Sequence, residues 1–404
     1  RIKEELAEGK PLRESIEEGF RRAWDSIRDS NFSSLITCAI LFYFGSSIIR
    51  GFALNLALGI LISMFTAITL TRTFLLVAAE SPLKDKLFLW NKPKQKRKDH
   101  FAIIKNSKYF GGLSIVTSIV ALAMIVIFGF NLGIDFTGGT QLEMKAPAES
   151  GMSQETLTGS IIEVEEATQA DFGTPHVVAT DEGSYLIRIK HVSEEEHDAL
   201  TAKFAEKFGE GVEELRFTTV GPVIGETLKT KAMIALVITA IMIVLYIAFA
   251  FRKIPKNVSP WRFGVSAVVA LLHDLLIVIG IFVVLGHFFD IEIDALFITA
   301  LLTVMGFSVH DTIVVFDRIR ENLKFQKEGE TLAQVTNHAL NQTMARSFNT
   351  SLCVLITLIA MLIFGPESTR NFLLALVIGI AIGTYSSVFV ASALLVWWNG
   401  GKKA

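Results

Sequence analysis

The chain has 404 residues, 51% of them hydrophobic, and a mean hydropathy of +0.48, a balance that argues against an ordinary soluble protein and indicates a polytopic membrane protein with small soluble parts. Its formal net charge of −2 gives no sign of a nucleic-acid partner. The two cysteines, Cys38 and Cys353, lie in apolar runs and predict no disulfide framework. Because the first residue is Arg1, we expect a fragment of a longer protein.

Apolar runs of about 20 residues are long enough to cross a bilayer. The sequence contains eight such runs, and the first two and the last two form tightly connected pairs. We therefore predict about eight transmembrane helices, at roughly 33–49, 52–79, 110–130, 232–251, 263–286, 296–316, 350–365 and 371–398.

The charges of the loops predict the orientation, because Lys and Arg concentrate on the cytoplasmic side. Residues 80–109, 252–262 and 318–348 are basic and should be cytoplasmic, whereas 131–228 and 287–294 are acid-rich and should lie outside. Both ends of the chain are then cytoplasmic, which agrees with an even number of spans. The basic run "KPKQKRK" at 92–98 is either a hydrated linker obeying this bias or a patch that binds lipid or nucleic acid.

Residues 131–228 alternate between strand and helix patterns. The strands are "TQLEMKA", "PHVVAT", "SYLIRIK" and "VEELRFTTVG", the middle two joined at 181–183, and the helices follow Ser153 and Ser193. The order βαββαβ predicts a ferredoxin-like α+β domain. Its acids outnumber its bases about threefold, which suits contact with basic extended polypeptide, and its scattered histidines predict no metal site.

The sequence repeats itself at a separation of 317 to 320 residues. "RIKEEL" at 1–6 matches "RIRENL" at 318–323, and "GSSIIRGFALNLALGI" at 45–60 matches "GPESTRNFLLALVIGI" at 365–380. Between these stretches, Arg28, Asn31 and Ser33 match Arg346, Asn349 and Ser351. We interpret the two segments as the same helical hairpin from two related halves.

Several motifs resemble those of the SecD/SecF family of protein-export membrane proteins, which is similar to the resistance-nodulation-division transporters. They are "GIDFTGGT" (133–140), "VGPVIGETL" (220–228), "ALLHD" (270–274), "HDTIVVFDRIREN" (310–322) and "NQTMARSFNTS" (341–351). The resemblance divides the chain into the end of a SecD-like half (1–80), a basic cytoplasmic linker (81–109), the first SecF-like helix (110–130), a periplasmic domain (131–228) and five further helices (229–404).

The resemblance implies a proton-driven accessory of the Sec translocase in the inner (plasma) membrane of a bacterium, which promotes late export and release of preproteins. The implied partners are the SecYEG channel, the SecA motor, the membrane insertase and accessory Sec proteins, unfolded preprotein, the bilayer and the remainder of SecD. No enzymatic activity, cofactor, metal or nucleic acid is implied. One departure is His310, where the family often has Asn before the aspartate.

Asp311 stands about five residues from the cytoplasmic end of its apolar run. A charge at that depth costs at least about 2.5 kcal/mol, so it should face a cavity or a partner. We predict that Asp311 carries a proton and that Arg346, which stays charged, is its counter-charge; a permanent hydrogen bond and a snorkelling arginine are the structural alternatives. Asn349, Thr350 and Ser351 could relay protons through hydroxyls and water or cap a helix beginning there.

A second titratable pair, His273 and Asp274, lies about half-way along its apolar run. These residues either join the proton pathway or lock helices together, and the sequence does not separate the two. His310 is more readily explained as a polar packing neighbour than as the proton carrier.

Glycines mark both junctions of the 131–228 domain with the membrane, Gly138 and Gly139 at one and Gly221 and Gly225 at the other. Glycine permits positive backbone angles and close approach. The junctions could transmit motion or be simple turns.

The sequence contains no phosphate-binding loop of the G-x-x-x-x-G-K-[ST] type, so we expect an ion gradient of protons or sodium to supply the energy. Two other functions remain open. One is export of small molecules, which would call for larger outer domains, and the other is a structural scaffold for membrane-protein assembly.

Overall fold

The computed structural model describes residues 1–85, 90, 101–147, 150–180, 183–209, 211–252 and 259–399, so the basic run at 92–98 lies outside the described residues. The chain forms two compact units. The helical unit comprises Arg1–Gly129, Ile234–Ile291 and Leu296–Ala404, and the α+β unit comprises Phe130–Met233 together with Glu292–Ala295.

Long helices make up the helical unit. They are α1 (Ile2–Ala7), α2 (Leu12–Phe44), α3 (Ser47–Phe65), α4 (Thr71–Glu80), α5 (Ser107–Phe128), α9 (Pro222–Ala250), α10 (Pro260–Phe289), α11 (Ala295–Lys324), α12 (Leu332–Phe364), α13 (Arg370–Ser386) and α14 (Ser392–Trp398), with α9 and α11 each beginning in the α+β unit.

Seven helical segments within the described ranges are long and apolar enough to span a membrane, with α3–α4 and α13–α14 each counted as one. They match seven of the predicted runs. The remaining run, 33–49, corresponds to the apolar end of α2, whose first half is charged and whose helix stops at Phe44. Of the seven, α11 is the most enclosed, with 78% of its apolar stretch buried against 11% for α12. Helix α11 therefore forms the core of this unit.

The repeat seen in the sequence is also a repeat of structure. Helices α2 and α12 both have 33 residues, and each ends at a glycine with extended backbone, Gly45 or Gly365. The partner helices contain π-helical turns at matching places, Thr66–Leu70 and Ser387–Ala391. The rings of the equivalent residues Phe52 and Phe372 meet edge to face, with centroids 5.5 Å apart. The two hairpins are thus related copies in direct contact.

The α+β unit contains a four-stranded antiparallel sheet with the order β2-β3-β1-β4 and the short helix α6 (Ile134–Thr137) before it. Its elements are β1 (Gly139–Lys145), α7 (Gln154–Thr168), β2 (His176–Ala179), β3 (Ser184–Ile189), α8 (Glu194–Phe208) and β4 (Glu213–Val220). The predicted βαββαβ order is confirmed, and Ser153 and Ser193 cap α7 and α8 as expected. Residues 181–182 of the predicted turn lie outside the described residues.

A single apolar core holds this unit together. Leu142, Leu157, Ile187, Leu200 and Phe204 are fully buried between one face of the sheet and the two helices. The alternation of buried and partly exposed residues along β1 and β3 follows from the period of two in a strand. The domain can therefore bury its apolar side chains without help from the membrane helices.

Several ion pairs lie on the surface of the α+β unit. Lys190 donates a hydrogen bond to Asp171 at 2.5 Å and thereby lowers the pKa of that carboxyl. Lys207 and Lys203 likewise flank Glu163 and lower its pKa. The acid-rich character predicted for this segment is therefore partly offset by local lysines.

The junction glycines differ from one another. Gly138 has φ +72°, and a Cβ added there would lie 2.8 Å from the Cα of Pro222. Gly139 has φ +137° and lies against the carbonyl of Ile189, while a Cβ on Gly225 would lie 2.9 Å from the amide of Gly138. Gly221 has open space around it. Three of the four glycines are therefore required by close backbone packing, which is more than a simple turn needs.

Candidate functional site

A small cavity of about 140 Å³ lies inside the helical unit, between α2, α3, α11, α12 and α13. It is large enough for several water molecules. Its polar lining includes Asn31 and Thr37 from α2, His310 and Asp311 from α11, and Thr384 from α13. The half-buried carboxyl of Asp311 thus faces a cavity that has polar side chains in its lining, as its depth in the apolar run predicts.

The hydroxyl group of Ser351 is the hydrogen-bond partner of Asp311. Ser351 Oγ donates to Asp311 Oδ2 at 3.2 Å and accepts from Thr384 Oγ1 at 2.7 Å. Ser351 comes from α12 and Thr384 from α13, so three helices meet at this carboxyl. A hydroxyl can donate and accept at once, and a chain of two hydroxyls ending on a carboxylate can pass a proton.

Arg346 lies about one and a half turns before Ser351 on α12. Its charge interacts through space with Asp317 and with Asp311, but among the described residues no ion pair within 4 Å joins it to a carboxylate. This arginine is therefore a nearby counter-charge and not a salt-bridge partner of Asp311 in this conformation.

The expected helix cap at residues 349–351 is wrong. Helix α12 runs without interruption from Leu332 to Phe364, and its N-terminal cap is Thr331. Thr350 lines the cavity but donates its hydroxyl to the carbonyl of Arg346 at 2.9 Å, and Asn349 is exposed. The sequence suggested a new helix at Thr350 because the apolar run begins there, whereas the helix also includes the polar segment before it.

Asp274 occupies a second buried polar cluster. It is completely inaccessible, and its Oδ2 accepts hydrogen bonds from Ser308 and Ser386, both at 2.6 Å. The Nδ1 of His273 lies 2.9 Å from its Oδ1, while the Nε2 of His273 is buried without a partner. Asp274 thus joins α10 to α11 and α13 and is fully satisfied.

The two clusters are neighbours. Ser308 belongs to the Asp274 cluster and also lines the cavity of Asp311, one helical turn away on α11. Thr312 of α11 and Ser387 of the π-helical turn after α13 form a further hydroxyl pair at 3.0 Å. Polar side chains therefore continue from Asp311 to Asp274 through the most buried part of the unit.

Sequence reasoning missed most of these hydroxyl residues. Ser308, Thr384, Ser386 and Ser387 stand alone in apolar runs, where serine and threonine commonly bond to their own helix backbone. The only signal was the unusual "TYSS" at 384–387. In the described part of the chain, no group of three or more His, Cys, Asp or Glu side chains is arranged to hold a metal ion.

The cytoplasmic end of α11 carries a reciprocal set of ion pairs. Arg318 pairs with Glu4 at 2.7 Å, and Arg1 pairs with Glu321 at 2.5 Å. These are the matching positions of "RIKEEL" and "RIRENL", so each copy of the repeat supplies the arginine for the glutamate of the other. The exchange ties α1 to the helix that carries Asp311.

These features define a polytopic membrane protein with a buried carboxylate site and one ferredoxin-like domain. The family model "Protein export membrane protein SecD/SecF, C-terminal" matches residues 200–401, the "SecD/SecF GG Motif" matches 123–146, and the MMPL family matches 1–103. The chain belongs to the SecD/SecF protein-export family.

Proteins of similar sequence and structure support this family membership. The protein translocase subunit SecF of Thermobaculum terrenum is 44% identical over 293 residues, covering 71% of this chain and 90% of that protein. The protein translocase subunit SecDF of Thermus thermophilus is 35% identical over 409 residues, covering 100% of this chain and 52% of that protein. A crystal structure of the Thermus SecDF has a TM-score of 0.81 at 34% identity and covers 98% of this chain and 52% of the solved one. The chain therefore spans about half the length of its SecDF relatives.

Proposed function

We propose that this protein uses a proton gradient to promote the late stage of Sec-dependent export and the release of preproteins on the outer side of the membrane. Its membership of the SecD/SecF family supports a role in protein export. In this proposal it acts with SecYEG, SecA, the membrane insertase and accessory Sec proteins, its α+β unit faces the periplasm, and both ends of the chain are cytoplasmic.

The observation that carries the proposal is the position of Asp311. It faces a cavity large enough for water, it contacts a hydroxyl from a second helix, and an unpaired arginine within the described part of α12 lies close to it. When Asp311 is ionised, attraction to Arg346 favours a close arrangement of α11 and α12. When Asp311 is protonated that attraction is lost, and the two helices can shift.

The hydroxyl groups around Asp311 suggest a route for the proton. Ser351 and Thr384 connect Asp311 to α13, and Ser308 connects the same cavity to Asp274 and His273. In this proposal Asp274 is a second proton-binding residue of the pathway. The Nε2 of His273, which has no hydrogen-bond partner, accepts or releases the proton. Thr350 and His310 line the same cavity and, with the exposed Asn349, are further candidate residues of the pathway.

The gradient can supply the energy. One charge crossing the membrane releases about 2.3 kcal/mol per 100 mV. Several protons per cycle would suffice to shift helices whose arrangements differ by a few kcal/mol.

Asp311→Asn tests the proposal. Asparagine keeps the size and hydrogen bonding of a protonated aspartate but cannot ionise, so the protein should fold and insert. In vesicles containing complete SecD and SecF parts, the variant should lose gradient-stimulated release of a secretory protein and keep the ATP-driven stage. Asp198→Asn, at an exposed position of α8, is the matched control and should behave as wild type.

If Asp311→Asn vesicles respond fully to the gradient, the proton-carrier role is wrong and Asp311 is a structural residue. If the Asp198→Asn control loses the response as well, the loss reflects general damage by an Asp-to-Asn change.

A further inference from the structure

The segment Glu292–Ala295, which ends the loop after α10 and begins α11, belongs to the α+β unit and not to the helical unit. Ile293 forms a parallel bridge with Leu132. Its amide donates to the carbonyl of Asn131 at 2.8 Å, and its carbonyl accepts from the amide of Gly133 at 2.9 Å. The segment is therefore held by backbone hydrogen bonds against the chain that enters the domain.

Two side chains add to this attachment. Asp135 accepts a hydrogen bond from the amide of Ala295 at 2.9 Å, and Ala295 is the first residue of α11. Glu292 forms an ion pair with Arg188 at 2.7 Å, in which both side chains are largely buried, with 15% and 16% exposure. Arg188 lies in the middle of the sheet, on β3, opposite Gln141 of β1 and His176 of β2. The start of α11 is thus tied to the centre of the sheet.

Helix α11 continues without a break from Ala295 to Lys324 and carries Asp311. The sixteen helical steps from Ala295 to Asp311 correspond to about 24 Å of helix, which moves as a rigid rod unless it bends. The other junctions, Gly138–Gly139 and Gly221–Gly225, lead from the domain to α5 and α9, which carry no buried carboxylate in their described residues.

We propose that the Arg188–Glu292 ion pair and the Asp135 cap transmit movement between the Asp311 helix and the α+β domain. The proposal rests on the proton-driven function given above. Arg188, Glu292 and Asp135 are positioning residues: they act through α11 and touch no proton pathway. A buried ion pair suits this role. Leaving a largely buried charge without its partner is strongly destabilising, so the contact should stay intact.

A charge exchange tests the pair. Arg188→Glu and Glu292→Arg each place like charges together, whereas the double variant restores attraction in the opposite sense. Lys190→Glu is the matched control, since Lys190 is close to Arg188 in sequence but pairs with exposed Asp171 and not with the loop. Glu292→Gln removes the charge with little change of shape and serves if the exchanged single variants do not insert.

Two readouts are needed, both on the full SecD and SecF parts in vesicles. Hydrogen exchange of the peptide covering 290–297 should be roughly fivefold faster in each single variant and in Glu292→Gln. Gradient-stimulated release of a secretory protein should fall by about fivefold in the same variants and return to within about twofold of wild type in the double variant. Lys190→Glu should change neither.

Full gradient response in the single variants overturns the proposal, even when exchange at 290–297 is faster, because the attachment would then be structural only. A double variant as defective as the singles also overturns it. Failure of the proposed function is separable, since it would show as a full response in Asp311→Asn vesicles whatever the Arg188 and Glu292 variants do.

Discussion

The two copies of the repeated hairpin place an arginine and a serine at matching positions and give them different neighbours. In the first copy, Arg28 pairs with Asp29 at 2.8 Å and with Asp25 at 3.2 Å. In the second copy, Arg346 makes no ion pair within 4 Å in the described part of the chain, and its charge interacts through space with Asp317 and Asp311. The same scaffold therefore holds one neutralised arginine and one whose charge is available to a titrating carboxylate.

The serines follow the same division. Ser33 donates its hydroxyl to the carbonyl of Ser30 at 2.6 Å, within its own helix, whereas Ser351 donates to Asp311 on another helix. Thr384, which donates to Ser351, is matched by Met64 in the first copy. The repeated fold therefore places an arginine and a serine at equivalent positions in both copies. Differences in a few neighbouring side chains determine which copy can respond to a proton.

The arginines should give the largest contrast. Arg346→Met removes the counter-charge of Asp311, so gradient-stimulated release should fall by about tenfold or more, and Arg346→Lys should be milder because the charge remains. Arg28→Met removes two local ion pairs, so it should cost on the order of 1 kcal/mol of stability and leave the gradient response of the folded protein intact. Vesicle release and thermal unfolding in detergent measure the two effects. Equal loss of gradient response in both methionine variants would remove the distinction between the copies.

The serines should give a smaller contrast. Ser351→Ala breaks the link from Asp311 to Thr384, and a net hydrogen bond is worth about 1 kcal/mol, so the gradient response should fall by roughly fivefold. Ser351→Thr keeps the hydroxyl and should retain most of the response. Ser33→Ala should change the same release assay by less than about twofold, since its hydroxyl bonds only to its own helix. A normal response in Ser351→Ala would show that this hydroxyl is not on the proton route.

Gly221 and Gly225, at the second junction of the domain, offer a similar contrast between two glycines in different surroundings. A Cβ on Gly225 would lie 2.9 Å from the amide of Gly138 and 3.1 Å from the carbonyl of Phe136, whereas Gly221 has open space. Gly225→Ala should therefore destabilise the α+β unit by about 1–3 kcal/mol, and Gly221→Ala by no more than about 0.5 kcal/mol. Protease resistance of the unit on heating measures both. Equal resistance of the two variants would mean that the junction relaxes around the added methyl.

Much of this architecture could be predicted from local patterns. The strands and helices of the α+β unit follow from the alternation of apolar and polar residues and from the serine caps. The repeat follows from arginines and glycines that recur at a nearly constant separation in the sequence. The full lengths of α2 and α12 could not be predicted from hydropathy, because the first half of α2 is charged and the first half of α12 is polar. Both halves bond to α11, α2 through Arg22 and Glu321 and α12 through Gln342 and Arg318. Asp311 stood out as a charge in an apolar run, which is a strong local signal.

The partners of Asp311 were harder to identify. Ser308 and Thr384 are hydroxyls in apolar helices, where a bond to the backbone of the same helix and a bond to another helix look the same in sequence. Glu292 and Arg188 are 104 positions apart in sequence and belong to a loop and a strand, so no periodicity connects them. Contacts of this kind depend on how the elements pack, which a single sequence does not specify.

The most direct test of the central claim is to observe the proton on Asp311. Infrared difference spectra of the protein in vesicles, recorded before and after the outer side is acidified, should show a protonated-carboxyl band that is absent in Asp311→Asn and shifted in Ser351→Ala. A band of the same size in wild type and Asp311→Asn, or no band in the wild type, would contradict the proposed proton carrier.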